Sequence, residues 1–159
     1  MKTLTVYYSR SGHTKKVAEA ISKAMGSDLE EITEPRGRGG IIGWLRSGRE
    51  ARGEKLSVIN PSKYDPTNYD ILIVGTPIWA GNISSPVRTY LTKAAGKTKR
   101  VAYFATLGGN DDSATYAAME KITGHPEATL SIPQMEMKDS AYLKKVNKFV
   151  ETLQTLASN

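Results

Sequence analysis

No cysteine occurs among the 159 residues. That absence excludes a disulfide framework, an iron–sulfur cluster held by thiolates and a cysteine nucleophile, and it fits a reducing compartment. Histidine is nearly as scarce. The two present, His13 and His125, lie far apart in the chain, which argues against a histidine-rich metal centre. Apolar runs are short, and none approaches the roughly 18 residues that a membrane-spanning helix needs. The opening Met1-Lys2-Thr3-Leu4-Thr5-Val6 turns polar too soon for a signal peptide. These absences lead us to expect a cytoplasmic protein with no membrane span. Acidic residues are the remaining shortage: 16 stand against 22 Lys and Arg, for a net charge of +6.

What is present suits one compact domain over residues 1–159. A chain of this length buries roughly 70% of its unfolded surface. Its 39% apolar and 24% charged residues are ordinary for a globular protein. The basic excess is local. Arg36, Arg38, Arg46, Arg49, Arg52 and Lys55 face only Glu50 and Glu54 within the same segment, so four of the six net charges sit there.

Strand and helix patterns alternate along the chain. Lys2–Tyr8 is a β-branched and aromatic run that predicts a buried strand. Val17, Ala20, Ile21, Ala24 and Met25 form a helical stripe over residues 14–25, closed by Gly26. Asp28–Thr33 predicts an edge strand. Residues 34–69 are the hardest to read: a Gly- and Arg-rich loop, then a helix over 41–51 with Ile41, Ile42, Trp44, Leu45 and Gly48 on or near one side, then a short extended piece at Leu56–Ile59. Asp70–Gly75 is a continuous apolar run of the kind buried on both faces in a parallel sheet. Ser85-Pro86 starts a helix, with serine as N-cap and proline at the first helical position, and Gly96 closes it. Arg100–Thr106 predicts a strand, Asp112 or Ser113 caps a helix that runs to Ile122, and Glu127–Ile132 predicts the last strand. Tyr142, Leu143, Val146, Phe149, Val150, Leu153 and Leu156 mark a terminal amphipathic helix. Five strands, each followed by a helix, predict a doubly wound, three-layer α/β domain. Ligands in such a sheet bind at the carboxyl ends of its strands.

Three loops lie at that end. The first, Ser9-Arg10-Ser11-Gly12-His13-Thr14, brings three hydroxyls and a glycine to a helix start, where free N–H groups suit a phosphate. Helix capping alone accounts for one hydroxyl, not three. Neither the triphosphatase loop G-x-x-x-x-G-K-[ST] nor the dinucleotide fingerprint G-x-G-x-x-G is present, and no aspartate pair of a phospho-acceptor domain flanks the first strand. The second loop, Thr76-Pro77-Ile78-Trp79-Ala80-Gly81-Asn82-Ile83-Ser84, puts a tryptophan beside two small residues. That arrangement could stack a flat ligand or simply cover the sheet end. The third, Thr106-Leu107-Gly108-Gly109-Asn110-Asp111-Asp112, carries a glycine pair that frees backbone N–H groups, or forms a plain turn. Asp111 and Asp112 read better as a helix start than as catalytic carboxylates, and His125 receives no role.

Taken together the loops resemble those of the flavodoxin family. Ser9–Thr14 is similar to its phosphate loop, [ST]-x-[ST]-G-x-T. Gly75–Asn82 is similar to the loop that stacks the flavin ring, and Ala105–Gly109 to the second ring loop. The resemblance implies a five-stranded parallel sheet of order 2-1-3-4-5 and non-covalently bound FMN. It assigns the phosphate to Ser9, Ser11, Gly12 and Thr14, with backbone N–H groups of Arg10 and His13. It places the ring against Thr76, Pro77, Ile78, Trp79, Ala80, Gly81 and Asn82 on one side and Thr106, Leu107, Gly108 and Gly109 on the other. Trp79 is the stacking residue, and the Ala80–Gly81 peptide is the backbone group that meets the ring's N5 hydrogen. No catalytic side chain and no metal are expected.

Two departures stand out. The chain is basic where classical flavodoxins are acidic, and residues 106–112 hold no aromatic for the outer face of the ring; Tyr116 is the nearest. The resemblance therefore allows an electron carrier with a redox partner protein, an acidic one included, and equally an NAD(P)H:quinone or FMN reductase. A flavin-free interaction module working through its basic patch is the reading from another class. For residues 36–55 themselves a solvated helix ranks first, an acidic redox partner second, and nucleic acid or an anionic membrane last.

Overall fold

The computed structural model describes residues 1–109 and 111–157. Five parallel strands form its sheet: β1 (Thr3–Tyr7), β2 (Asp28–Glu31), β3 (Ile71–Trp79), β5 (Val101–Leu107) and β6 (Thr129–Pro133). Their spatial order is β2-β1-β3-β5-β6, and the two-residue β4 (Asn82–Ile83) pairs antiparallel with the end of β3. With β4 set aside, this is the expected order. The register sets Leu4 beside Leu72, Leu72 beside Val101 and Tyr103 beside Thr129.

Alternation along each strand divides the core in two. Leu4, Val6, Leu72, Val74 and Tyr103 pack with Val87, Leu91 and Met119 on one face. Ile71, Ile73, Ala102 and Phe104 pack with Val17, Ile21, Val146 and Leu153 on the other. The second face is covered by α1 (His13–Met25) and α5 (Tyr142–Ala157), which also touch each other. The first is covered by α3 (Ser85–Ala94) and α4 (Ser113–Thr123), with α2 (Gly40–Arg52) at the edge. At Gly75 there is no room for a side chain: a Cβ would lie 2.0 Å from Cζ of Phe104, whose ring crosses β3 there.

Three local expectations need correction. β3 does not stop at Gly75 but continues to Trp79 and returns through Ala80-Gly81 as a hairpin. The cap of α3 is Ser84, one residue earlier than read, with Ala95 closing it before Gly96. Residues 56–59 form no strand; Thr89 of α3 ties them down, its hydroxyl accepting from the Ser57 N–H at 2.9 Å and donating to the Ser57 carbonyl at 2.9 Å.

The helix read over 41–51 is present as α2, and it turns its apolar residues outward. Ile41, Ile42, Trp44 and Leu45 are 78%, 83%, 59% and 58% exposed, whereas Gly43, Ser47 and Ala51 are its buried residues. The cause is steric. The preceding chain passes so close that a Cβ on Gly43 would meet the Arg38 carbonyl oxygen at 2.3 Å, so only the small face can point inward.

Candidate functional site

β1 delivers the chain directly to the start of α1. Gly12 is the N-cap, in the left-handed region at φ 92°, and its carbonyl accepts the first helical bond from Lys16 N at 3.1 Å. The Ser9 hydroxyl accepts from Gly12 N at 3.0 Å, and the Ser11 hydroxyl pairs with His13 Nδ1 at 2.9 Å. No side chain caps α1 and no acidic residue occupies its first turn. The first-turn N–H groups and the positive end of the helix are thus left for an outside anion. Thr14 is buried, its hydroxyl 2.8 Å from that of Thr106, which joins the first loop to the third.

The second loop is a tight hairpin. Ala80 and Gly81 both have positive φ, 49° and 75°, the requirement for a two-residue turn whose twist matches its strands. Trp79, just before it, is only 8% exposed. Tyr8 meets its ring edge-on at a centroid distance of 5.5 Å, and the Arg38 guanidinium lies 5.1 Å from its centroid. Arg38 is itself enclosed. Nε and Nη2 donate to the two Glu34 carboxylate oxygens at 2.6 and 2.8 Å, and Nη2 donates to Glu50 Oε2 at 2.6 Å. Glu50 also accepts from Ser85 Oγ at 2.9 Å and Arg46 Nε at 2.8 Å. Burial opposes ionisation of Glu50, but the hydrogen bonds from Arg46, Arg38 and Ser85 outweigh it and hold the carboxyl below its ordinary value. Burial and the Glu34 carboxylate push the Tyr8 hydroxyl up, so it stays a donor, to Glu34 Oε2 at 3.2 Å.

These loops open on one cleft of about 1270 Å³, above the roughly 300–1,000 Å³ of an ordinary ligand pocket. Of the residues read from sequence, Arg10, Ser11, Thr14, Pro77, Ile78, Trp79, Ala80, Gly81, Thr106, Leu107, Gly108 and Gly109 line it. Ser9, Gly12, His13, Thr76 and Asn82 do not. Thr76 is fully buried, its hydroxyl donating to the Pro77 carbonyl at 2.9 Å. Asn82 Oδ1 accepts from Ile83 N and Arg88 Nη2. Asn110 of the third loop lies outside the described residues. Asp111 takes the helix-start role, accepting from Ser113 N and Oγ, and those bonds lower its carboxyl below the usual range. Asp112 is the N-cap position of α4, but its side chain accepts from Ser131 Oγ instead of capping. Tyr116 is unavailable for an outer face: its ring stacks on Tyr103, and its hydroxyl donates to the Leu130 carbonyl at 2.6 Å.

Sequence reading missed the opposite wall. Trp44, Leu45, Arg49, Arg52 and Lys55 of the α2 segment line the same cleft, as do Asp111 and Gln134. The signal was the small-residue spacing Gly43, Ser47, Ala51, which marks the inner face of α2 and thereby turns the rest toward the cleft and solvent. The basic segment also divides. Arg38 and Arg46 are consumed by Glu34 and Glu50. Arg49, Arg52 and Lys55 have no ion pair among the described residues, and two of them lie on α2 itself.

The residues fit a phosphorylated flat ring such as FMN. The uncapped end of α1 supplies donors for a phosphate. Pro77, Ile78, Trp79 and Leu107 offer an apolar wall, and a Cβ on Gly81, Gly108 or Gly109 would meet nothing within 4 Å, which leaves room for a ring to reach the backbone.

A flavodoxin family model matches residues 2–153. A flavoprotein from Lactobacillus acidophilus, solved in complex with FMN, is 27% identical; the match covers 86% of this chain and 96% of that one, with a TM-score of 0.71. Oxidised flavodoxin 2 from Bacillus cereus shares the fold at 17% identity and a TM-score of 0.65, covering 98% of this chain and 99% of its own. An NAD(P)H dehydrogenase (quinone) from Cupriavidus metallidurans is 27% identical over 132 residues, 81% of this chain. The match spans 62% of that relative's length.

Proposed function

Because this chain belongs to the flavodoxin family, we propose that it binds FMN non-covalently in the cleft and passes electrons through it. The observation that carries this reading is the convergence on one cleft of an uncapped helix start and the Trp79 hairpin. The first-turn N–H groups of α1, with the Ser11 hydroxyl and the Arg10 backbone, would hold the phosphate. Trp79, Pro77 and Ile78 would support one side of the ring, and Leu107, Gly108 and Gly109 would border it. Bound FMN supplies reversible electron and hydride transfer. The hairpin's part is to present the Ala80–Gly81 backbone, held at positive φ, where a carbonyl can accept a proton-bearing group at the ring's N5. Leu107 and Ile78 keep water from the buried edge.

The test is a titration of the purified protein with FMN, followed by visible absorption and flavin fluorescence. Stoichiometric binding with quenched emission is the expected result. Failure to bind at micromolar FMN would turn the reading toward the flavin-free interaction module.

A second reading, an NAD(P)H:quinone reductase, is favoured by two observations. The cleft exceeds an ordinary ligand pocket, and no aromatic residue from the third loop or Tyr116 covers it. The Cupriavidus relative supports this direction, within the part of its length that is matched. Oxidation of NADPH by the FMN-loaded protein with a quinone present separates the two. Turnover identifies a reductase; its absence, with reduction only by another redox protein, identifies a carrier. We place either activity in the reducing cytoplasm, consistent with a chain free of cysteine.

A further inference from the structure

We propose that α2 is an interfacial helix that seats this face of the molecule on an anionic lipid bilayer. A helix on a water-facing edge normally buries its large apolar side chains and exposes its polar ones. In α2 the arrangement is reversed. The inward residues are Gly43, Ser47 and Ala51. Outward stand Ile41 at 78% and Ile42 at 83% exposed, with Trp44 and Leu45 both more than half exposed. Ile41, Leu45, Gly48 and Arg52 follow one line along the helix by their spacing, so the apolar turns run directly into a basic one. Leu56 and Val58, just past the helix, are also 56% and 74% exposed. Isolated exposed apolar residues need no explanation, but a contiguous set on one helix marks a surface that is covered in use.

Charge decides the occupant. Arg36, Arg49, Arg52 and Lys55 have no acidic partner among the described residues. A second copy of the chain would bring two such cationic faces together, which like-charge repulsion opposes. Nucleic acid would use the cations but leave the isoleucines in water. An anionic bilayer uses both halves: Ile41, Ile42 and Leu45 enter the acyl boundary, Trp44 sits at the interface, and the arginines meet headgroup phosphates. Because α2 also walls the cleft, this seating puts the cleft mouth beside the lipid. An apolar electron acceptor could then enter from the membrane, a consequence that rests on the redox reading; the bilayer contact itself does not.

The experiment is co-sedimentation of the 159-residue protein with vesicles of phosphatidylcholine alone and of phosphatidylcholine with phosphatidylglycerol. Expected are binding to the anionic vesicles only, weakening as salt rises, and a blue shift in tryptophan emission. Trp79 is already buried, so that shift must come from Trp44. The double variant Ile41→Ser, Ile42→Ser should bind these vesicles roughly tenfold more weakly or worse. Neither residue lines the cleft, so its FMN affinity and melting temperature should be those of the parent protein. Four outcomes overturn the proposal. They are no binding to anionic vesicles; binding that the double variant retains, which is charge alone; equally tight binding to soluble polyglutamate, which points to an acidic protein; and a dimer by light scattering that the double variant abolishes.

Discussion

A methyl group on Gly75 has nowhere to go, with Phe104 Cζ 2.0 Å away. Gly75→Ala should cost about 2 kcal/mol in urea unfolding, in the range for overpacked cores, and adding Phe104→Leu should recover part of it as a coupled pair. Ala80 is the reverse case. It occupies φ 49°, a conformation that costs a non-glycine residue roughly 1–2 kcal/mol. Glycine removes that strain and gives back roughly 0.5–1 kcal/mol through the entropy of its unfolded state. Ala80→Gly should therefore stabilise the protein by about 0.5 kcal/mol, read as a higher urea midpoint at unchanged slope. A destabilised variant would mean that the hairpin is not under strain.

Among the α-helices, α2 buries no large apolar side chain, only Gly43, Ser47 and Ala51. It is held through Arg38, whose side chain is wholly buried between Glu34 and Glu50. Arg38→Ala leaves the buried Glu34 carboxylate without its counter-ion and Glu50 with Arg46 alone, and should cost about 3 kcal/mol, as broken buried pairs do. The same change removes the cation above Trp79, so the tryptophan spectrum should report it. The pH dependence follows from Glu50, whose carboxyl is held below its ordinary value. A depressed carboxylate contributes stability that is fully present above the ordinary value of about 4.3 and is lost as pH falls through the folded one. Acid titration of the parent should show that loss, and Glu50→Gln should flatten the slope in this window. An identical slope in both proteins would show that Glu50 does not couple α2 to proton binding.

For the molecule as a whole, ligand binding and stability are linked. At a hundredfold excess of free FMN over its Kd, the native state gains about 2.7 kcal/mol, which for this size raises Tm by roughly 5–11 °C. An unshifted Tm in saturating FMN would contradict the cofactor assignment. At this scale the fold was legible in the sequence, since continuous apolar strands and striped helices in strict alternation leave few arrangements. The place of the first loop at a strand–helix junction was legible as well, because hydroxyls and a glycine there are local chemistry. What escaped was set by tertiary placement. Ala80 itself hides the turn, because alanine rarely adopts a left-handed conformation, so the hairpin looked like open loop despite Gly81 beside it. Thr76 and Asn82 have polar side chains of the right kind, yet nearby hydroxyl, carbonyl and guanidinium groups occupy them. The wall built from Trp44, Arg49 and Arg52 was not read, because the pattern put Ile41, Ile42, Trp44 and Leu45 on one side of α2 without fixing what that side meets. The contact of Gly43 with the Arg38 backbone fixes it, and that contact joins two stretches whose order has no periodic signature.

The scarcity of apolar anchoring beneath α2 also bears on how the cleft fills. A segment held by polar bonds over a small-residue face opens more readily than the sheet behind it. Amide hydrogens of residues 40–52 should therefore exchange with deuterium by a local excursion, well before those of β1, β3 and β5. The door to the cleft and the weakest cooperative unit of the chain are then the same piece of backbone. Saturation with FMN should slow exchange there first, making the protection of α2 a gauge of occupancy that needs no redox chemistry at all.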